Sequence, residues 1–129
     1  MNFSPAMLLA VAVGGAAGSV GRFVAMSVIG HWFGAAFSYG TLAVNVIGSL
    51  VMGVLVEGWA LAWSPTPELR ALLTVGVLGG FTTFSTFSLD VAVLYERGEI
   101  GLAALYVLLS VALSIGGLFG GLALVRGLT

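Results

Sequence analysis

Four long apolar runs alternate with short polar or aromatic connections along the chain. Each run has about the 20 residues that a helix needs to cross the hydrocarbon core of a membrane. We place the spans at about residues 6–29, 41–61, 69–96 and 100–125. The pattern therefore predicts an all-α integral membrane protein with four transmembrane helices in a single domain over residues 1–129.

Local signals indicate where two of these helices begin. Ser4 can serve as an N-cap with Pro5 at the first helical position, and Thr66 with Pro67 repeats this arrangement ahead of the third helix. A short charged turn over residues 96–99 makes the third and fourth helices antiparallel neighbours.

The third span contains a stretch, Gly79–Ser88, that is poorly suited to a continuous membrane helix. Its two glycines each weaken a helix by roughly 1 kcal/mol relative to alanine, and its five hydroxyl side chains can compete for backbone partners. Irregular backbone persists at membrane depth only inside protein or beside a water-filled path. We therefore predict a mid-membrane break near residues 79–83, where something polar passes.

The composition excludes several classes of function. The chain is 60% hydrophobic and has a net charge of −1, so it lacks the basic surface of a nucleic-acid-binding protein. It has no cysteine and one histidine, His31, which we place in a connection without a role. Because no catalytic set or metal-binding spacing is present, we predict that the protein is not an enzyme.

Three polar side chains within the spans each allow two interpretations. Arg22 either extends toward the interface near its helix end or supplies positive potential at a pore mouth. Asn45 either forms a contact between helices or donates to an aqueous path. Asp90 is either an interfacial carboxylate or a flank of the same path, whereas Glu57 is expected at the interface.

The fourth span carries hydroxyls at a regular spacing. Tyr106, Ser110 and Ser114 recur every four residues and therefore share one helix face. Such a stripe suits contacts between helices and a track for an ion equally well. The same span contains two overlapping GxxxG patterns, which favour close helix packing.

The polar groups in the spans are nearly all neutral donors, which suits a small anion better than a cation. The edges of aromatic rings are positive, so Phe84 and Phe87 could replace part of the water around a compact anion. A broken helix also frees backbone carbonyls, such as those of Gly79 and Thr82, which can hold a cation.

The arginines define the orientation of the chain only weakly. Arg70 and Arg126 lie beside one set of connections and Arg97 beside the other. Since a strong positive-inside bias is missing, insertion in both orientations is allowed. Four helices form a thin bundle, so we expect a homo-oligomer, for which an antiparallel dimer is one arrangement.

The stretch Gly79–Ser88 closely resembles the signature of the Fluc (CrcB) fluoride channels. The resemblance extends to residues 18–22, which contain Arg22, and to residues 40–48, which follow the pattern GTLxxNxxG. Tyr106, Ser110 and Ser114 match the polar track of the family's fourth helix.

This resemblance implies a dual-topology antiparallel homodimer in the cell (inner) membrane, with two pores that passively export cytoplasmic fluoride. Phe84 and Phe87 would meet the ion with their edges, and Asn45 would donate to it. Ser85 and Thr86 could supply hydroxyls. The backbone carbonyls of Gly79 and Thr82 would hold a structural Na+ shared by the two subunits.

Two positions depart from the family pattern. Many relatives carry threonine where this chain has Ala43, and a glutamate often follows the signature where the nearest acid here is Asp90. The main competing hypothesis is a proton-coupled small multidrug exporter, which needs a buried carboxylate that residues 6–29 lack. A packing subunit would explain the glycine patterns but not the hydroxyls and rings at a break.

Overall fold

The computed structural model describes residues 3–128, so both ends of the predicted domain lie outside the described residues. The described chain is helical apart from short connections. Its elements are α1 (Pro5–Phe33), α2 (Tyr39–Leu61), α3 (Pro67–Arg70), a π-helical segment (Ala71–Leu78), α4 (Gly79–Phe81), α5 (Phe84–Glu96) and α6 (Ile100–Leu128).

Four stretches of the described chain are long and apolar enough to cross a membrane. They are Pro5–Phe33, Tyr39–Leu61, Pro67–Glu96 and Ile100–Leu128. The all-helical class and the number of membrane-length helices are thus confirmed. The first span extends further than predicted, so His31 lies in the last turn of α1 and not in a connection. Gly34, with φ of 79°, ends that helix.

The predicted helix starts are confirmed by side-chain capping. The Ser4 hydroxyl accepts a hydrogen bond from the backbone N–H of Met7 at 3.2 Å. The Thr66 hydroxyl accepts one from the backbone N–H of Leu69 at 3.3 Å. In both places proline follows the cap, where its missing N–H costs nothing.

The interruption of the third span lies at Thr82 and Thr83, within the predicted range 79–83. Gly79 and Gly80 remain helical. The absence of a side chain at Gly80 serves helix packing, since a Cβ there would lie 2.8 Å from the carbonyl oxygen of Gly15. A π-helical segment, which no sequence pattern indicated, precedes the break over Ala71–Leu78.

The helices pack as two close pairs, α1 against the π-helical segment and α2 against α6. A side chain at Gly18 would overlap the carbonyl oxygen of Val77, and one at Gly121 would overlap that of Leu50. Both pairs therefore bring backbone against backbone, as small residues permit in membranes. Of the two GxxxG patterns in α6, the one containing Gly117 and Gly121 faces α2, while a Cβ at Gly116 would meet nothing.

Few side chains are buried within the single chain. Phe87, Leu94, Ala103 and Tyr106 form its small core. Most large apolar residues face outward, as expected where lipid is the solvent. Glu57, which we expected at the interface, is 8% exposed and forms an ion pair with Arg126.

Candidate functional site

The break in the third span consists of two extended residues between helices. Thr82 has φ −87° and ψ 159°, and Thr83 has φ −151° and ψ 126°. The Thr83 hydroxyl caps α5 by accepting a hydrogen bond from the Thr86 N–H at 3.2 Å. The Thr82 hydroxyl donates backward to the carbonyl oxygen of Leu78 at 2.9 Å. The local sequence thus ends one helix and starts another within two residues.

Asn45 on α2 holds one side of the break. Its Nδ2 donates to the carbonyl oxygen of Thr83 at 3.0 Å, and its Oδ1 accepts from the Thr83 N–H at 2.8 Å. This geometry supports the interpretation of Asn45 as a contact between helices. Because a side-chain amide has two N–H groups, a second donor remains at Nδ2 beyond the one that Thr83 uses.

Arg22 on α1 holds the other side. Its Nε donates to the carbonyl oxygen of Gly80 at 2.9 Å. The guanidinium group is therefore directed at the main chain of the third span. The sequence offered an interfacial or a pore-mouth position for Arg22 and gave no signal for this contact.

The remaining carbonyl groups at the break are not used inside the chain. Leu78 accepts from the N–H and hydroxyl of Thr82, and Gly80 accepts from Arg22. The carbonyl oxygens of Gly79 and Thr82 accept no hydrogen bond from the residues that the structure describes. These two oxygens are available to a hydrogen-bond donor or to a cation.

A cavity of about 340 Å³ opens beside the break. It lies between the third span and the middle of α2 and α6. Its lining combines amide and hydroxyl groups with aromatic and aliphatic carbon, from Asn45, Ser49, Thr82, Thr83, Phe84, Phe87, Ser110, Val111, Ser114 and Ile115. The described lining contains no ionised side chain, so the cavity can donate hydrogen bonds without fixing a charge.

Two serines of α6 give the cavity its most informative feature. The hydroxyl oxygens of Ser110 and Ser114 are buried, and neither has a hydrogen-bond partner among the described residues. A buried unsatisfied hydroxyl is costly and rare, so each one requires an explanation. The two serines lie one helical turn apart, and both line the same cavity.

The aromatic rings form a continuous series next to the cavity. Phe84 and Phe87 have ring centroids 5.4 Å apart, and Phe87 and Tyr106 have centroids 5.2 Å apart. Phe87 is 8% exposed, whereas Phe84 is 77% exposed. Phe81, at the same sequence spacing, lies across the break and packs beside Gly21 and Gly48.

The Tyr106 hydroxyl forms a hydrogen bond with Asp90 and not with either serine. It donates to Oδ2 of Asp90 at 3.0 Å, and Thr41 donates to the same oxygen at 2.8 Å. Thr41 and Asp90 also line a second cavity of about 280 Å³ near the connection between α1 and α2. Tyr106, which is fully buried, therefore lies between the two cavities, in contact with Phe87 on one side and Asp90 on the other.

The structure brings some of the predicted site residues together and leaves others apart. Asn45, Phe84, Phe87, Ser110 and Ser114 line the larger cavity, as does Thr82. Ser85, Thr86, Gly79, Tyr106 and Arg22 are not in its lining. The Ser85 hydroxyl lies 3.3 Å from the hydroxyl of Thr83.

Sequence reasoning missed the polar face of α2. Thr41, Asn45 and Ser49 recur every four residues, which is the same signal that identified the stripe on α6. The spacing alone could therefore have identified Thr41 and Ser49. It could not have identified Asp90 as the partner of Thr41, because 49 residues separate them.

Comparison with known proteins gives matches over nearly the whole chain. The sequence model of the family described as CrcB-like protein, Camphor Resistance (CrcB), matches residues 9–122. The fluoride-specific ion channel FluC of Rhodospirillum centenum is 61% identical over 120 residues, which cover 93% of this chain and 95% of that protein. The protein of the same name from Rhodopseudomonas palustris is 53% identical over 121 residues, 94% of this chain and 98% of that protein. That of Agrobacterium fabrum is 51% identical over 122 residues, 92% and 94% of the two chains.

Proposed function

This chain belongs to the CrcB family, and from that premise we propose that it is a fluoride-selective channel through which cytoplasmic fluoride leaves the cell passively. It is a multi-pass protein of the bacterial inner membrane and a transporter, not an enzyme. Fluoride enters cells as HF and dissociates in a less acidic compartment, so a passive path for the anion relieves its accumulation.

One observation of the structure carries this proposal furthest: the unsatisfied hydroxyls of Ser110 and Ser114 beside a cavity without ionised groups. Fluoride is a compact acceptor, so a hydroxyl that has no partner in the protein can donate to it. The second N–H of Asn45 and the rings of Phe84 and Phe87 border the same space. Neutral donors and positive ring edges replace part of the ion's water without binding it tightly enough to stop conduction.

The route that we propose passes from the larger cavity along α6. Ser114 and Ser110 donate in turn, and the ion then passes Phe87 toward Tyr106 and the smaller cavity. Ser85 and Thr86 supply further hydroxyls where the ion enters the break. Arg22, on the opposite side of the break from Asn45, contributes positive charge to the surrounding field.

We further propose that the working unit is an antiparallel, dual-topology homodimer with one pore in each copy. Phe84 lines the polar cavity and is 77% exposed in the single chain, where a second copy would cover it. Thr82 and Thr83 lie at the middle of the span Pro67–Glu96, which supports a break at mid-membrane depth. Backbone of this kind needs protein or water around it at that depth.

The main chain at the break fits a structural Na+ at the centre of that dimer. The carbonyl oxygens of Gly79 and Thr82 accept no hydrogen bond from the described residues, and free carbonyls of broken membrane helices are suitable ligands for Na+. Two copies would contribute two such pairs. When bound, the ion would add fixed positive charge to the field that an anion experiences.

Passive fluoride efflux from liposomes that carry the purified protein tests the proposal. With potassium fluoride inside and valinomycin present, we expect fast electrogenic release of fluoride and negligible release when chloride replaces it. A folded protein that releases fluoride only when a proton gradient is imposed would favour a coupled exporter. A folded protein that releases none would contradict the channel.

A further inference from the structure

We propose that Arg22 is a positioning residue that fixes the main chain of the break through the carbonyl group of Gly80. This inference rests on the proposed function, because the carbonyls that it orders are those that would hold Na+. In this inference Arg22 acts through one specific hydrogen bond and not through a general positive potential at a pore mouth. The contact that carries it is the 2.9 Å hydrogen bond from Arg22 Nε to Gly80 O.

The location of Arg22 argues against a side chain that merely extends to the membrane surface. Helix α1 continues to Phe33, roughly three helical turns beyond Arg22. The side chain is part-buried and directed at another helix. An arginine so far from its helix end is costly in a membrane unless a specific partner compensates for it.

Close backbone packing brings the guanidinium group to this carbonyl. A Cβ at Gly18, one turn before Arg22, would overlap the carbonyl oxygen of Val77. A Cβ at Gly80 would lie 2.8 Å from Gly15 O. Because both helices present glycine at the crossing, their main chains touch. The short separation between Arg22 and Gly80 leaves the arginine side chain little conformational freedom.

The contact is also favourable electrostatically. Gly80 is the penultimate residue of the helical run that ends at Phe81, so its carbonyl is one of those left without a helical partner. The C-terminal end of a helix carries partial negative charge, which a cation stabilises. Arginine supplies both the charge and a donor in a rigid plane.

Arg22 and Asn45 hold the two flanks of the break. Arg22 binds the carbonyl of Gly80, and Asn45 binds both backbone groups of Thr83. Only Phe81 and Thr82 lie between the two fixed peptides. With both flanks fixed, the unpaired carbonyls of Gly79 and Thr82 have defined directions instead of sampling several.

The sequence provides a direct probe of this hydrogen bond. Gly80–Phe81 is the single Gly–Phe pair in the chain, so labelling with carbonyl-13C glycine and 15N phenylalanine selects the Gly80 carbonyl in solid-state NMR. We compare the native protein with Arg22→Lys, which keeps the charge but loses the planar fork. Arg70→Lys, at an exposed arginine over the ring of Trp59, is the matched control.

We expect the Gly80 carbonyl signal to move upfield in Arg22→Lys and to stay in place in Arg70→Lys. Fluoride efflux should fall roughly tenfold, the effect of losing one charge-assisted hydrogen bond. The Na+ concentration that half-stabilises the dimer against dissociation in detergent should rise by a similar factor. Arg22→Gln, with the same expectations, replaces the lysine variant if that protein does not assemble.

Two results would overturn the inference. In the first, the Gly80 signal stays unmoved in the lysine variant. In the second, the signal moves while fluoride efflux and Na+ dependence both stay native, which would show that charge alone matters at this position. Native protein without fluoride efflux would instead overturn the proposed function, so the two failures are distinguishable.

Discussion

Asn45 and Thr83 exchange two hydrogen bonds across the interface of α2 and the third span. The amide nitrogen donates to Thr83 O at 3.0 Å, and the amide oxygen accepts from Thr83 N at 2.8 Å. A planar side-chain amide thus offers the peptide what a neighbouring backbone would offer. The backbone N–H and carbonyl of Thr83 therefore depend on one side chain from another helix for their hydrogen bonds.

Replacing Asn45 by leucine should destabilise the protein. Both backbone groups of Thr83 lose their partner while they stay part-buried, so the free energy of unfolding should fall by about 2–4 kcal/mol. Unfolding in detergent, followed by tryptophan fluorescence, measures the change. Ser49→Ala, one turn along the same face, is the control and should change stability little. A leucine variant of native stability would show that solvent or a second copy replaces the amide.

Replacing Phe84 or Phe87 by isoleucine should have different effects on stability but similar effects on fluoride conduction. Phe87 is 8% exposed and packs on Tyr106, so Phe87→Ile should lower the free energy of unfolding by about 1–2 kcal/mol. Phe84 is 77% exposed, and Phe84→Ile should cost the single chain little. Both should reduce fluoride efflux at least tenfold if ring edges meet the ion. Native efflux in both variants would exclude the aromatic role.

Ser110→Ala and Ser114→Ala should lower fluoride conduction without destabilising the fold. Each removes a buried hydroxyl that has no partner in the described chain, so stability should hold or rise by about 1 kcal/mol. Fluoride efflux should fall, because the ion loses a donor. Thermal unfolding and liposome efflux on the same preparations measure the two effects. A marked loss of stability would indicate a structural partner supplied by a second copy.

The sequence-based predictions succeeded where the signal is local. Ser4 and Thr66 cap helices as predicted, because a cap requires only residues within one turn. The interruption at Thr82 and Thr83 falls within the predicted range 79–83, whereas Gly80 remains helical and serves the close packing against α1. The partner of Arg22 lies 58 residues away, beyond the reach of any spacing rule.

Removal of Na+ should weaken assembly without unfolding the chain. If carbonyls of Gly79 and Thr82 from two copies hold the ion, exchange into potassium or N-methylglucamine salts should favour monomers. Sedimentation in detergent measures the dimer fraction, and circular dichroism should stay unchanged. Thr82→Ser keeps the carbonyl and should retain native Na+ dependence. An equal dimer fraction in all three salts would contradict a structural Na+.

The double variant that combines Tyr106→Phe and Thr41→Val should lose more stability than the sum of the losses in the two single variants. Both side chains donate to Oδ2 of Asp90, and phenylalanine keeps the ring contacts of Tyr106 with Phe87 and Phe37. Each single change should cost about 1–2 kcal/mol, since the carboxylate retains one donor. The double change removes both donors and should exceed the sum by about 1 kcal/mol, because residues that share a partner are not independent. The free energies of unfolding of the four proteins in detergent give this coupling. Additive costs would show that water from the smaller cavity already serves Asp90.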